Sequence, residues 1–216
     1  MKKLIAAAAA IILTAGLCGC AGNSNTVSAV ITETQDGSSV SAAGLNIKLP
    51  QDWEAYAGNE VYKKLYESSE VDYDSADDLK KSYEDNGINY ILYAIAPDQT
   101  AMLSLTALKI TTDENGERLS AEEFARNNHD TSVISFQASG MKIANSGFTE
   151  EICGGKSGYL SRYEIYTDEN SAELLMGQSE FIFEQDGSLY SLQVYYHSEE
   201  AGQQTSDILS GITAAE

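Results

Sequence analysis

Residues 174–197 read LLMGQSEFIFEQDGSLYSLQVYYH, and this stretch decides the fold. Two apolar runs flank Asp186-Gly187, a dipeptide whose residues adopt the positive φ of a two-residue hairpin turn. Leu174 to Glu184 and Ser188 to His197 are therefore predicted as antiparallel strands. Working outward, Ile88 to Ala96 and Ala101 to Ile110 are apolar at successive positions, so both strand faces are expected to be buried. The short link Pro97-Asp98-Gln99-Thr100 predicts a second hairpin. Met141 to Phe148 and Gly158 to Thr167 add two strands, with a turn at Gly154-Gly155. Leu45, Ile47 and Leu49 alternate with polar residues up to Pro50 and add another.

Helical spacing fills the gaps. Asn59 to Ser68 places Tyr62 and Tyr66 at i,i+4, and Ser75 to Glu84 stops at Asn86-Gly87. Ser120-Ala121-Glu122-Glu123 is a capping box that starts a helix running into the 130s. A last helix is expected from Glu199 to Ile212. The predicted class is α+β: a mainly antiparallel sheet of about six strands with helices on both faces, an α/β/α sandwich. One domain is expected over residues 41–216.

The chain begins Met1-Lys2-Lys3, then runs apolar and uncharged from Leu4 to Leu17. A spanning helix needs about 20 apolar residues, so this run is short for one and suits an export signal. Leu17-Cys18-Gly19-Cys20 follows and resembles the lipobox of bacterial lipoproteins. That resemblance implies cleavage between Gly19 and Cys20, a diacylglycerol thioether on Cys20, and attachment to the outer face of the cell membrane. Two or more acyl chains hold a protein on a bilayer stably. Residues 1–19 are then a signal peptide. Residues 20–40, rich in small and polar side chains, are expected to be a flexible tether. Within it, Val27 to Ile31 is an apolar patch that would otherwise pair as an edge strand.

Three further stretches, GLNIKLPQDW (44–53), LSAEEFARN (119–127) and DGSLYSLQVYYHSEEAGQQTSDILSGI (186–212), are similar to the PsbP-like or DcrB-like class of bacterial lipoproteins. The class implies an antiparallel sheet between helices and an accessory or binding role. It implies no catalytic residue.

The residues themselves point to no reaction. Cys153 is the one thiol beyond the lipobox, in a Glu-Ile-Cys-Gly-Gly turn, and is expected to be buried and inert. His129 and His197 are the only histidines, too far apart in sequence for a recognised zinc spacing. Gly154-Gly155-Lys156-Ser157 lacks the earlier glycine and the following helix of a phosphate loop. Calcium is the metal that two acidic segments, Glu67 to Asp78 and Asp113 to Glu117, would suit as hard oxygen donors, though neither fits an EF-hand loop. No cofactor is predicted. Tyrosines are the better binding candidates. Tyr159 and Tyr163 share one strand face, and Tyr190 and Tyr196 share another, with Tyr195 opposite. Such rings build either a core or a recognition groove.

The reading that results is a lipid-anchored, non-enzymatic envelope protein binding a partner or ligand near the membrane. A metal-responsive module or a hydrolase are the alternatives. Charge constrains the partner. With 33 acidic and 13 basic residues the net charge is −20, which repels nucleic acid. Loss of Lys2 and Lys3 with a signal peptide would make it −22. After Arg162 there are eleven acids and no Lys or Arg. A charged partner is therefore expected to be cationic and to meet the C-terminal part.

Overall fold

A computed structural model of the chain describes residues 27–68, 73–109, 112, 117–167 and 173–215. Seven strands form an antiparallel sheet in the order β4-β5-β6-β10-β9-β8-β7. These are β4 (Glu54–Ala57), β5 (Ile88–Ile95), β6 (Ala101–Leu108), β7 (Lys142–Cys153), β8 (Lys156–Tyr166), β9 (Leu174–Gln185) and β10 (Ser188–Tyr196). Asp186 and Gly187 both take positive φ between β9 and β10, as the hairpin requires. β10 then pairs with β6 on its other side, Leu192 lying opposite both Leu105 and Phe181. The apolar centre of the sheet thus joins segments far apart in the chain.

A second sheet was not anticipated. It has the order β1-β2-β3-β11, built from Val30–Thr34, Gly37–Ala42, Leu45–Pro50 and Thr213–Ala214. Residues 30–40, expected to belong to the flexible tether, instead form a hairpin that runs on to Ala42. Val40 and Ala42 alternate inward with Leu45, Ile47 and Leu49 of β3, and all are buried. The alternation in Gly-Ser-Ser-Val-Ser-Ala is masked by small residues, which composition reads as linker. The Ala43-Gly44 turn between β2 and β3 also has positive φ at both residues. Alanine there gives no sequence signal for a hairpin.

Among the described residues four helices complete the fold: α1 (Asn59–Ser68), α2 (Ala76–Asp85), α3 (Ala121–Ala138) and α4 (Glu199–Ser210). Ser120 and Glu123 form the predicted capping box at the start of α3. One face of the seven-stranded sheet meets the smaller sheet and α4. Leu103, Leu105, Phe181 and Leu192 pack there against Ile47, Ala201 and Ile208. The opposite face meets α1, α2 and α3 through Val61, Tyr62, Tyr90, Phe136 and Tyr163. The class is α+β, with helices on both faces as expected. The main sheet, expected to have about six strands, has seven, and among the described residues a four-stranded sheet shares one of its faces with α4. Among the described residues no helix is long and apolar enough to cross a membrane.

Candidate functional site

The residues facing α3 from the sheet are unusually polar for so deep a position. β9 presents Gln178 and Glu180, β10 presents Ser191 and Gln193, and β8 presents Ser161 and Tyr163. Glu180 is only 3% exposed. Its Oε1 accepts hydrogen bonds from Ser191 Oγ and Gln193 Nε2, both at 2.7 Å. A third comes from the side chain of Asn128 on α3. All three donors are neutral. Burial therefore dominates and raises the Glu180 pKa above the usual carboxylate range, against the pull of those hydrogen bonds.

The layer extends on both sides of Glu180. Tyr195 Oη donates to Gln193 Oε1 at 3.2 Å. Tyr163 Oη donates to Gln178 Oε1 at 2.5 Å. His129 of α3 contacts Ser161 Oγ through Nδ1 at 2.7 Å and Ser146 Oγ through Nε2 at 3.2 Å. Burial lowers the His129 pKa, opposed by the nearby Asp130 carboxylate and reinforced by the Arg126 charge. The inner stripe of α3 explains the match. Ala125 and Phe136 are buried apolar ends, while Asn128, His129 and Ser132 are the polar middle. Buried polar groups survive when each finds a partner, and here the helix and the sheet supply each other's.

This arrangement holds α3 in register; it does not expose reactive atoms. The His129–Ser161 contact looks like a base and a nucleophile, yet Ser161 is 2% exposed and the second imidazole nitrogen meets a serine rather than a carboxylate. A hydrolytic triad needs an accessible hydroxyl and an orienting acid.

The predicted tyrosines do not converge. Tyr159 and Tyr163 lie on the α3 side of the sheet, whereas Tyr190 and Tyr196 pack on the side of the smaller sheet. Tyr163 and Tyr190 are core residues, at 1% and 3% exposure. For these two rings the core packing that the sequence allowed is what is seen, each in a different hydrophobic layer. Tyr196 is half-buried over Gly177 and Gly202, and its hydroxyl donates to Glu164 Oε1 at 3.2 Å. Burial and that carboxylate push its pKa up to about 12. Tyr159 stacks on Phe148 at the sheet surface, ring centroids 5.9 Å apart, and keeps access to solvent.

Cys153 is half-buried beside α4, its Sγ nearest the Leu209 carbonyl. Burial raises the thiol pKa to about 11, so thiolate is scarce at neutral pH. Alkylation of the native protein at pH 7 should run at least roughly a hundredfold slower than that of the urea-unfolded chain. Equal rates in a time course followed by mass spectrometry would show that Cys153 is reactive.

Gly19 and Cys20 lie outside the described residues, as do Glu70, Asp72 and residues 113–116 of the acidic segments. Asp78 is engaged in the start of α2, where Ser75 Oγ donates to its carboxylate at 2.6 Å. Among the described residues no group of three or more His, Cys, Asp or Glu side chains converges. The Glu180 layer was missed in sequence. Its only trace is the polar alternation Gln178–Glu180 and Ser191–Gln193 inside strands that otherwise read as apolar.

No family model and no curated protein matches the chain. Its fold is similar to the solution structure of cyanobacterial PsbP (CyanoP) from Synechocystis. The identity is 12%, with 93% of this chain and all of that chain covered and a TM-score of 0.45. It is also similar to LpqN of Mycobacterium tuberculosis, a protein described as involved in cell envelope biogenesis. There the identity is 12%, with 89% of this chain and 93% of that chain covered and a TM-score of 0.41.

Proposed function

We propose that this chain is an exported lipoprotein, held at the cell envelope by lipid on Cys20, whose α+β domain binds a partner and catalyses no reaction. The observation that carries the anchoring is Leu17-Cys18-Gly19-Cys20, placed directly after a basic start and a short uncharged apolar run. The binding reading rests on what the folded part does with its chemistry. Among the described residues the one buried carboxylate, the histidine–serine contact and the thiol are all spent on packing. What the domain presents outward is acidic surface and one long unpaired strand edge.

Cys20→Ser is the test. The variant should lose metabolic palmitate labelling and move from the membrane pellet to the soluble fraction. It should keep the thermal melt of the wild-type domain. Membrane association unchanged by Cys20→Ser would overturn the anchor.

A further inference from the structure

β7 closes one end of the seven-stranded sheet, so one side of it pairs with β8 and the other, among the described residues, with no strand. An open edge presents a row of unpaired amides and carbonyls to a passing chain. Other sheet ends are short: β4 has four residues, β1 five and β11 two. β4 is also guarded, since Lys64 and Tyr56 both hold Glu54. β7 is longer, and after the irregularity between Ala144 and Gly147 its ladder with β8 runs without a break from Gly147 to Cys153.

Along that run Thr149, Glu150, Glu151 and Ile152 are all exposed. Ile152, at 75%, is the most exposed large apolar side chain among the described residues. Because strand side chains alternate, Glu150 and Ile152 stand on the α3 face and Thr149 and Glu151 on the other. Each face of the edge therefore carries one carboxylate. Glu150 lies opposite Tyr159 across the ladder, and Glu122 of α3 also acts on that ring. Arg126 is already tied to Glu122 at 2.8 Å and sits over the Phe148 ring.

We propose that the β7 edge at residues 147–153 takes up an extended basic segment of a partner protein as an eighth strand. Main-chain hydrogen bonds would supply the attachment, as in strand addition generally. Lysine or arginine would face Glu150 and Glu151, and a branched apolar side chain would cover Ile152 and the Tyr159 ring. A second copy of this chain fits badly. It would bring Glu150 and Glu151 of two molecules together, on bodies of net charge −20 each. The inference rests on the binding reading above and names the chemistry of the partner.

The test is fluorescence anisotropy with labelled strand-length peptides and the full chain. One peptide repeats Lys-Lys-Val, which sets lysine on both faces and valine beside Ile152, and a second repeats Glu-Glu-Val. Two further copies of the basic peptide are N-methylated, one on each set of alternate amides. The unmethylated basic peptide should bind and the acidic one should not. One of the two methylated copies should bind roughly tenfold or more weakly, because its methyl groups face β7. Glu150→Lys/Glu151→Lys should weaken the basic peptide by a similar factor with an unchanged melt. Binding that ignores both methylation patterns, or the double charge reversal, overturns strand addition here. A concentration-dependent dimer that the peptide dissociates would assign the edge to a second copy and overturn the basic partner. None of these outcomes touches the anchor, which Cys20→Ser decides separately by fractionation.

Discussion

Glu180→Gln should flatten the pH dependence of stability and leave the protein more stable than wild type above neutral pH, while Glu180→Ala should destabilise it at every pH. The folded-state pKa of Glu180 is raised by burial. Above the ordinary carboxylate range, the folded protein therefore holds a proton that the unfolded chain has released. Stability falls as pH rises through that window, and the loss is complete once the folded-state carboxyl ionises. Tyr163 and Tyr195 face the same carboxylate, and burial raises the pKa of both, so neither titrates in this range. Glutamine carries no proton to lose, yet its oxygen still accepts from Ser191 and Gln193. Alanine strands those donors and the Asn128 side chain and opens a cavity, at a cost of roughly 3–5 kcal/mol. Urea unfolding at pH 5 and pH 8 measures both. A glutamine variant that tracks the wild type at both pH values would show that the Glu180 pKa is not raised in the folded state.

The second large effect concerns the hairpin at the start of the described fold. Gly37 has φ +135°, and a Cβ there would press into the Leu49 carbonyl oxygen of β3. Gly37→Ala should therefore cost roughly 3 kcal/mol, from backbone strain and a clash that only movement of β3 relieves. For a domain of this size that lowers the melting temperature by about 6–12 °C. Gly187→Ala is the control. It also has positive φ, at +76°, but nothing lies within 4 Å of its Cβ position. It should cost only about 1 kcal/mol. If residues 30–42 were a tether, Gly37→Ala would cost no more than Gly187→Ala, and equal melts would show it.

These two residues mark where sequence reading stopped. Gly37 sits in a run of Gly and Ser that resembles linker, and nothing local says that β3 lies against it. Glu180 sits in a strand whose neighbours Phe181 and Phe183 are fully apolar. An isolated acid there reads as a solvent-facing position. It is buried because α3 brings Asn128, His129 and Ser132 over that part of the sheet, and α3 begins at Ala121, far earlier in the chain. The choice between core and groove for the tyrosines stayed open in the sequence for a related reason. Alternation correctly divided Tyr190 and Tyr196 from Tyr195, and placed Tyr159 with Tyr163. It does not say which layer covers each face.

What the sequence by itself determined follows from interactions over a few residues. The helix positions, the capping box at Ser120, the Asp186-Gly187 hairpin and the two-sided burial of β5 and β6 all rest on local backbone preference and side-chain period. The resemblance to a lipobox that carries the proposed export and lipidation is local as well, a reading of Met1 to Cys20 alone. Only the tertiary structure decided the second sheet, the separation of the tyrosines into two cores, the depth of Glu180 and the open edge of β7. Each of these depends on which strand pairs with which. That choice is made by apolar area and hydrogen-bond partners contributed from distant segments, as when Thr106 and Ser191 meet across 85 residues. Strand period specifies two faces and two edges for every strand, and only the folded chain assigns them.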